Sequence, residues 1–191
     1  SIIIGVISSY LCGIKAGKET REFRSINRYY LMTYNFQSDE NLKRLYPNAL
    51  EVRKRAQILE KHKLNVFANP YPDIQKICFI DYPALYYIDS INNHSGSNFF
   101  SIDSIQEPTI TISGWAVDEQ AKRQAGGVFI TIDDKLDIPA IYGLDRKDVA
   151  VHFKNKHYRF SGFQASFMTA VLEKGRHSIS LKILTADKKG Y

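Results

Sequence analysis

Three charged residues lie close together in the stretch YGLDRKDVA, and their types and spacing could support chemistry. Asp145 and Asp148 are a pair of carboxylates, the groups that carry out acid–base steps in glycoside hydrolysis. Arg146 lies between them, and a guanidinium in that position often holds a loop through charge-assisted hydrogen bonds. No histidine or nucleophile stands at an offset that would complete a catalytic site. The spacing therefore favours a structural clamp, with a hydrolase as the alternative.

Aromatic residues suggest a second kind of site, a flat platform on which a sugar ring stacks. Trp115 is the only tryptophan, in the run TITISGWAV, and Tyr142 and Tyr158 lie in later segments. A lone tryptophan on an alternating strand more often fills space between sheets, so we expect Trp115 to be mostly buried. Tyr142 and Tyr158, with Phe153 and Phe160, are expected at the surface, where exposed rings together would indicate a binding site.

Neither a metal nor a cofactor is indicated. Asp133, Asp134 and Asp137 lie in IDDKLD without the spacing of a calcium loop, so a hairpin turn is predicted there. The histidines are scattered, and Cys12 and Cys78 lack metal-ligand spacing. Cys78 is expected to be buried as a small apolar residue. The sequence also lacks a glycine-rich phosphate loop.

The elements that must position these residues change in character near residue 69. After that point apolar residues alternate: Ile110, Ile112 and Ala116 share one strand face, and Trp115 lies on the other. Similar strands recur in GVFITIDD and HSISLKIL, joined by turns and without helical crossovers after residue 70. Residues 69–191 are therefore predicted to form an antiparallel β-sandwich of Ig-like or jelly-roll-like type.

Residues 1–68 are predicted to be a membrane-proximal helical segment. Ser38 can cap one helix, and Pro47 separates it from a second. The apolar stripe of the second helix is predicted to comprise Leu50, Val52, Ile58, Leu59 and Leu64. The intervening RKR is interpreted as a solvated helix face, since no aromatic residues are interleaved with it.

The first 14 residues carry no charge. A membrane span needs roughly 20 residues, so this run is predicted to be the end of a transmembrane helix. A buried amphipathic helix is the alternative. The basic residues that follow, predicted to face anionic lipid, are Lys15, Lys18, Arg21, Arg24 and Arg28.

The excess of positive charge is confined to the first part of the chain. Residues 1–70 contain 12 Lys and Arg against 6 Asp and Glu, whereas residues 71–191 contain 14 of each sign. A nucleic-acid-binding surface would spread basic residues over the domain, so no nucleic-acid partner is expected.

Several short motifs of the second part also resemble a known module. They are, in order, ISGWAVD, GGVFITIDD, AIYGLDRKDVA, YRFSGFQASF and LEKGRHSISLKIL. Residues 105–191 resemble a β-sandwich module found at the C-terminus of bacterial polytopic membrane proteins that look like cell-surface glycosyltransferases. The helical lead is similar to the segment after the last membrane helix of such proteins. The resemblance implies a fold and a cell-envelope setting, and it transfers no catalytic residue.

Two functions follow as hypotheses. The first is a non-catalytic, soluble C-terminal region of a membrane-anchored cell-envelope protein, whose sandwich binds glycan or packs against its own membrane domain. The second is a soluble part of a membrane glycosyltransferase or glycoside-acting enzyme that contributes acidic residues to an active site. The basic cluster alone would favour a cytoplasmic side, but we follow the resemblance and expect an extracytoplasmic domain. The candidate binding residues are Trp115, Tyr142, Asp145, Arg146, Asp148 and Tyr158.

Overall fold

The computed structural model describes residues 23–95 and 106–191, which form two antiparallel sheets preceded by a helical segment. The helices are α1 (residues 23–32), α2 (Asp39–Lys43), α3 (Ala49–Lys61) and α4 (Lys147–His152). The strands are β1 (Ala84–Ile91), β2 (Thr109–Asp118), β3 (Arg123–Gln124), β4 (Gly127–Ile132), β5 (Leu136–Pro139), β6 (Ile141–Leu144), β7 (Gly162–Met168) and β8 (Ile179–Leu184). The predicted antiparallel β fold with an N-terminal helical segment is confirmed.

The strands form two sheets of different size. The first sheet has the order β1-β2-β7-β6, with β3 also paired to β2, and the second has the order β5-β4-β8. Each pairing between these strands is antiparallel. Strands β2 and β7 are adjacent although 43 residues separate Asp118 from Gly162 in the numbering, so long-range pairing brings distant parts of the chain together.

The main core lies between the two sheets and follows from the period-two alternation. Ile110 and Ile112 of β2 point inward, as do Val128 and Ile130 of β4, and all four are nearly inaccessible. Burying an isoleucine side chain contributes about 1.5–3 kcal/mol, so the alternation fixes which face of each strand is inside. Trp115 therefore lies on the opposite, outer face of the first sheet.

The helical segment packs on the first sheet through hydrogen bonds as well as apolar contact. The Tyr29 hydroxyl donates to the Ser166 carbonyl (3.1 Å) and accepts from the Ser166 N–H (3.0 Å). Gln37, which is fully buried, donates to the same carbonyl (2.7 Å). Burial raises the pKa of the Tyr29 hydroxyl, so this group remains a neutral donor. The helical segment thus pairs with backbone groups of β7 at Ser166, beyond the residues that β6 pairs with.

The predicted stripe of α3 is largely wrong in phase. Ser38 caps α2 as expected, and Asn48 rather than Pro47 precedes α3 as its N-cap. The buried residues of α3 are Ala49, Val52 and Ala56, whereas Leu50, Ile58 and Leu64 are more than half exposed. The inward residues pack with the large side chains of Tyr34, Leu42 and Phe67, which a count of large apolar residues along α3 itself misses.

The chain between the helices and β1 covers the outer face of the second sheet. Ile74 packs on Phe129 and Leu184, and Tyr191 at the end of the sequence joins the same cluster. The segment runs beside residue 190 rather than forming a full strand, and Cys78 is exposed. The expectation of a buried Cys78 is therefore wrong, because this segment lies over the sheet and not inside it.

A short helix follows residue 70, but it joins the antiparallel neighbours β6 and β7 and is therefore not a helical crossover between parallel strands. Helix α4 has six residues, of which only Val149 is buried. A helix this short has too few turns for an apolar repeat to show in the sequence. It connects β6 to β7 and, as described below, covers part of the outer face of the first sheet.

The predicted transmembrane end at residues 1–14 lies outside the described residues, as do Lys15, Lys18 and Arg21. Arg24 and Arg28 are exposed, and Arg28 donates to the Asn69 carbonyl (2.8 Å). Among the helices of the described part, none has the length and apolar character needed to cross a membrane.

Candidate functional site

The candidate site lies on the outer face of the first sheet, where Trp115 of β2 points away from the main core. Trp115 is partly buried, so the expectation of a mostly buried filler between the sheets is wrong in position. Its ring meets that of Phe153 edge-on, with centroids 5.5 Å apart. Phe153 follows α4, so this helix supplies the aromatic wall that supports Trp115 from one side.

Tyr158 is part of that wall and is not a surface platform. It is 2% exposed, and its ring centroid is 5.8 Å from that of Phe153. Its hydroxyl donates to the Glu119 carboxylate (2.5 Å). Burial and this hydrogen bond raise the Tyr158 pKa to about 12, so the hydroxyl stays protonated. The expectation of an exposed Tyr158 is wrong, because Val149 and Phe153 pack over it.

Tyr142 is also not a surface ring. It packs against the main core, and its hydroxyl donates to the Ala116 carbonyl (2.7 Å) while accepting from the Ala125 N–H (2.9 Å). Burial raises the pKa of this hydroxyl. Tyr142 thus joins β6 to the β2 and β4 regions. Of the four rings expected at the surface, Phe160 is the one that is exposed (43%).

Gly114 explains why a glycine precedes the tryptophan. A Cβ atom at this position would overlap the Tyr87 carbonyl oxygen and would lie 2.8 Å from Phe163 Cζ. The absence of a side chain lets the Phe163 ring fill the core directly beneath β2 while β1 stays paired at its side. The glycine at this position therefore serves the packing of Phe163 and the pairing with β1.

Arg146 is a clamp, as predicted, but one of its partners differs. Its Nε and Nη2 atoms donate to the Asp148 carboxylate at 2.7–3.2 Å, and Nη1 donates to Asp89 Oδ2 (2.5 Å). Asp145 instead pairs with Arg159 (3.0 Å). The predicted Asp145–Arg146 pair is therefore wrong, because the chain turns after β6 so that Arg146 reaches across to β1.

The ion pairs set the electrostatics of the site. Hydrogen bonds from the Arg146 guanidinium lower the pKa of Asp148 from its ordinary value of 3.8 to about 2. The same contacts raise the pKa of Arg146, so the group is charged at every accessible pH. Asp148 remains 64% exposed and Asp89 38% exposed, so both carboxylates keep acceptor positions open toward solvent.

The clamp crosses the sheet beside the aromatic residues. A Cβ atom at Gly162 would lie 3.0 Å from Arg146 Cγ, so the Arg146 stem rests against β7. Gly162 is the register partner of Trp115, and Trp115 is the partner of Tyr87 on β1. Residues paired across antiparallel strands share one face. Tyr87, which is 55% exposed, therefore lies on the same outer face as Trp115 and the clamp.

The acidic stretch IDDKLD forms the predicted hairpin. Asp133 and Asp134 have φ angles of 52° and 55° in the turn between β4 and β5. The Asp133 carboxylate contacts His177 Nδ1 (2.7 Å) and accepts from the Ser178 N–H (2.8 Å), whereas Asp137 pairs with Lys182. Within residues 23–95 and 106–191, no group of three or more potential metal-binding side chains comes together.

The structure thus brings together three of the six predicted binding residues: Trp115, Arg146 and Asp148. Tyr87 and Asp89 also belong to the site and were not predicted from the sequence. Two consecutive tyrosines on a strand give a usable signal, because one of them must lie on each face. Asp89 gives none, since it lies at an irregularity where the register of β1 against β2 shifts between Ile88 and Ser90.

The chain is similar over part of its length to a protein from an archaeon. No family model matches the chain, and no solved structure matches it. An uncharacterized protein of Archaeoglobus fulgidus is 42% identical over 67 residues, which cover 35% of this chain and 17% of that protein. The match thus spans less than a fifth of the relative's length.

Proposed function

We propose that this chain is a non-catalytic, glycan-binding β-sandwich module from the C-terminal region of a membrane-anchored cell-envelope protein. The sugar would bind on the outer face of the first sheet, over Tyr87 and Trp115 and beside the Arg146 clamp. The observation that carries this proposal is the register pairing of exposed Tyr87 with Trp115 on that face. The membrane anchor is proposed from the uncharged, apolar run of residues 1–14. The extracytoplasmic location is proposed from the resemblance of residues 105–191.

The chemistry of the face suits a saccharide. A sugar ring has an apolar side, which aromatic rings cover, and a rim of hydroxyl groups, which need fixed polar partners. Arg146 holds Asp89 and Asp148 in place, so the two carboxylates can accept hydroxyl hydrogen bonds without losing further side-chain freedom. An aromatic surface next to oriented carboxylates is therefore prepared for binding.

The acid–base alternative has less support from the same geometry. A general acid in glycoside hydrolysis needs a raised pKa, whereas Arg146 lowers that of Asp148 to about 2. Asp145 is held by Arg159 in a separate pair. Asp148 is therefore placed as an ionised hydrogen-bond acceptor, which suits binding better than proton donation.

The test is a screen of the chain against an oligosaccharide array, followed by calorimetry on the best binder. Tyr87→Ala should weaken binding by about tenfold to thirtyfold, since truncating an aromatic anchor costs about 2 kcal/mol. Tyr86→Ala is the matched control, because Tyr86 is equally exposed (56%) but lies on the opposite strand face.

Two results would contradict the proposal. Equal losses in the Tyr86 and Tyr87 variants would remove the outer face as the binding surface. Hydrolysis of a glycoside by the chain, abolished by Asp148→Asn at an unchanged melting temperature, would replace the binding function with the enzymatic one.

A further inference from the structure

Helix α3 carries a stripe of alternating apolar and basic residues on its outward side. Leu50, Lys54, Ile58 and Lys61 follow one another at spacings of three or four residues, which places them along one helix face. Leu50 is 62% and Ile58 58% exposed, and both lysines are exposed. The stripe is more than one stray exposed residue, because its four members recur over about three helical turns.

Two large aliphatic residues of α3 point away from its buried face. Ala49, Val52 and Ala56 are buried and Leu59 packs against the same cluster, whereas Leu50 and Ile58 point outward. Burial of large apolar side chains is the main favourable term in the free energy of folding. A helix whose outer face meets only water therefore gains no stability from placing Leu50 and Ile58 there. The outward stripe is therefore suited to a second apolar surface.

The charges around the stripe favour an anionic partner. The two acids of α3 lie beside the stripe and are engaged: Glu51 pairs with Arg55 (2.8 Å), and Glu60 accepts from the Tyr34 hydroxyl (2.7 Å). Lys54 is in the stripe itself, between the two large apolar residues. The surface around Leu50 and Ile58 thus combines exposed hydrocarbon with positive charge.

We infer that the outward face of α3 docks on an anionic lipid bilayer, with Leu50 and Ile58 inserted at the headgroup boundary. Lys54 and Lys61 can place their hydrocarbon stems along the apolar layer and their ammonium groups among phosphates. Protein interfaces, in contrast, are depleted of lysine at their centres. The interleaved lysines therefore favour lipid over a second protein, and this inference is independent of glycan binding.

The experiment places an environment-sensitive fluorophore at position 58 of the full chain. The native thiols are removed by Cys12→Ser and Cys78→Ser, and the label is attached through Ile58→Cys. The matched control is Val151→Cys, since Val151 is also a β-branched helical residue and is 76% exposed on α4. Both proteins are mixed with vesicles of equal phosphatidylglycerol and phosphatidylcholine, or of phosphatidylcholine alone.

The expected result is a blue-shifted emission at position 58 with anionic vesicles, and unchanged emission at position 151. The double substitution Lys54→Glu and Lys61→Glu should weaken the affinity for anionic vesicles, measured from the emission at position 58, by about thirtyfold or more. Each lysine near an anionic surface contributes about a factor of five to that affinity. The same change at exposed Lys135 and Lys174 should leave the response intact.

Three outcomes would overturn the inference. In the first, the chain sediments with vesicles while position 58 keeps its emission in water, which would assign membrane binding to another segment. In the second, neutral vesicles give an equal response, which would remove the role of the lysines. In the third, the emission at position 58 depends on protein concentration without vesicles, which would make the face a contact between copies.

Discussion

Replacing Arg146 with alanine tests the central feature of the candidate site. The substitution removes the guanidinium that binds Asp148 through Nε and Nη2 and Asp89 through Nη1. It also removes the hydrocarbon stem that lies against Gly162. The connection between β6 and α4 would then lose its tie to β1, and two carboxylates would lose a shared partner.

The expected loss is about 2–3 kcal/mol in the free energy of unfolding. The lowered pKa of Asp148 corresponds to about 2.4 kcal/mol before screening. Because Asp148 is 64% exposed, we reduce this to about 1 kcal/mol. The less exposed hydrogen bond to Asp89 adds about 1.5 kcal/mol. For a chain of this size the melting temperature should fall by about 4–12 °C.

The effect should depend on pH in a defined direction. The folded-state pKa of Asp148 is below its unfolded value, so its contribution is present above about pH 4 and is lost as the pH falls toward 2. The stability difference between wild type and Arg146→Ala should therefore shrink by about 1 kcal/mol between pH 5 and pH 2.

Urea unfolding at pH 7, and thermal unfolding from pH 5 to pH 2, provide the measurements. Arg159→Ala is the matched control, because it removes a more exposed Arg–Asp pair and should cost clearly less than Arg146→Ala. The clamp does not hold the fold as described if the free energy of unfolding of Arg146→Ala lies within about 0.5 kcal/mol of the wild-type value. The same conclusion follows if the loss of stability is equal at pH 2 and pH 5.

Three further predictions concern stability. Gly114→Ala should cost more than about 3 kcal/mol in urea unfolding, because the new methyl would overlap the Tyr87 carbonyl; a near-neutral result would contradict the packing beneath β2. Tyr142→Phe should cost about 1–3 kcal/mol, since two backbone groups lose their hydroxyl partner, and an unchanged midpoint would refute this role. The Asp133 carboxylate raises the pKa of His177. The ion pair therefore contributes its full stability below the unfolded-state pKa near 6.5, and this contribution is lost as the pH rises through the folded-state pKa. The melting temperatures of wild type and His177→Gln should therefore converge with rising pH, and a constant difference would argue against the ion pair.

Much of the β fold could be predicted because strand alternation is a local property. The inward positions of Ile110, Ile112 and Val128 follow from the period of two, and the structure places all three in the core. The caps are local as well: Ser38 begins α2 through a hydrogen bond to Asn41, three residues away. The buried face of α3 could not be predicted, because Ala49 and Leu50 both favour a helix. Which of the two is buried depends on the segments that pack against α3.

The candidate site was less predictable than the fold. The sequence indicated Trp115, Arg146 and Asp148, because a lone indole and an Arg between acids are unusual residue combinations. It gave the wrong environment for Tyr142 and Tyr158, since exposure depends on whether another segment covers a ring.

The sequence by itself determined the antiparallel strands, the cap of α2, and the charged hairpin after β4, because each depends on residues a few positions apart. Only the tertiary structure decided the partner of Arg146. Asp89 is 57 residues away along the chain, and Asp145 is its immediate neighbour. The sheet order β1-β2-β7-β6 places β1 and β6 at opposite edges, so strand order alone does not pair Arg146 with Asp89. The turn after β6 lays the Arg146 stem against Gly162 of β7, from where its guanidinium reaches Asp89, and the same turn directs Asp145 to Arg159. Ion pairs form between charges that are close in space, and the path of the chain over the sheet sets that closeness.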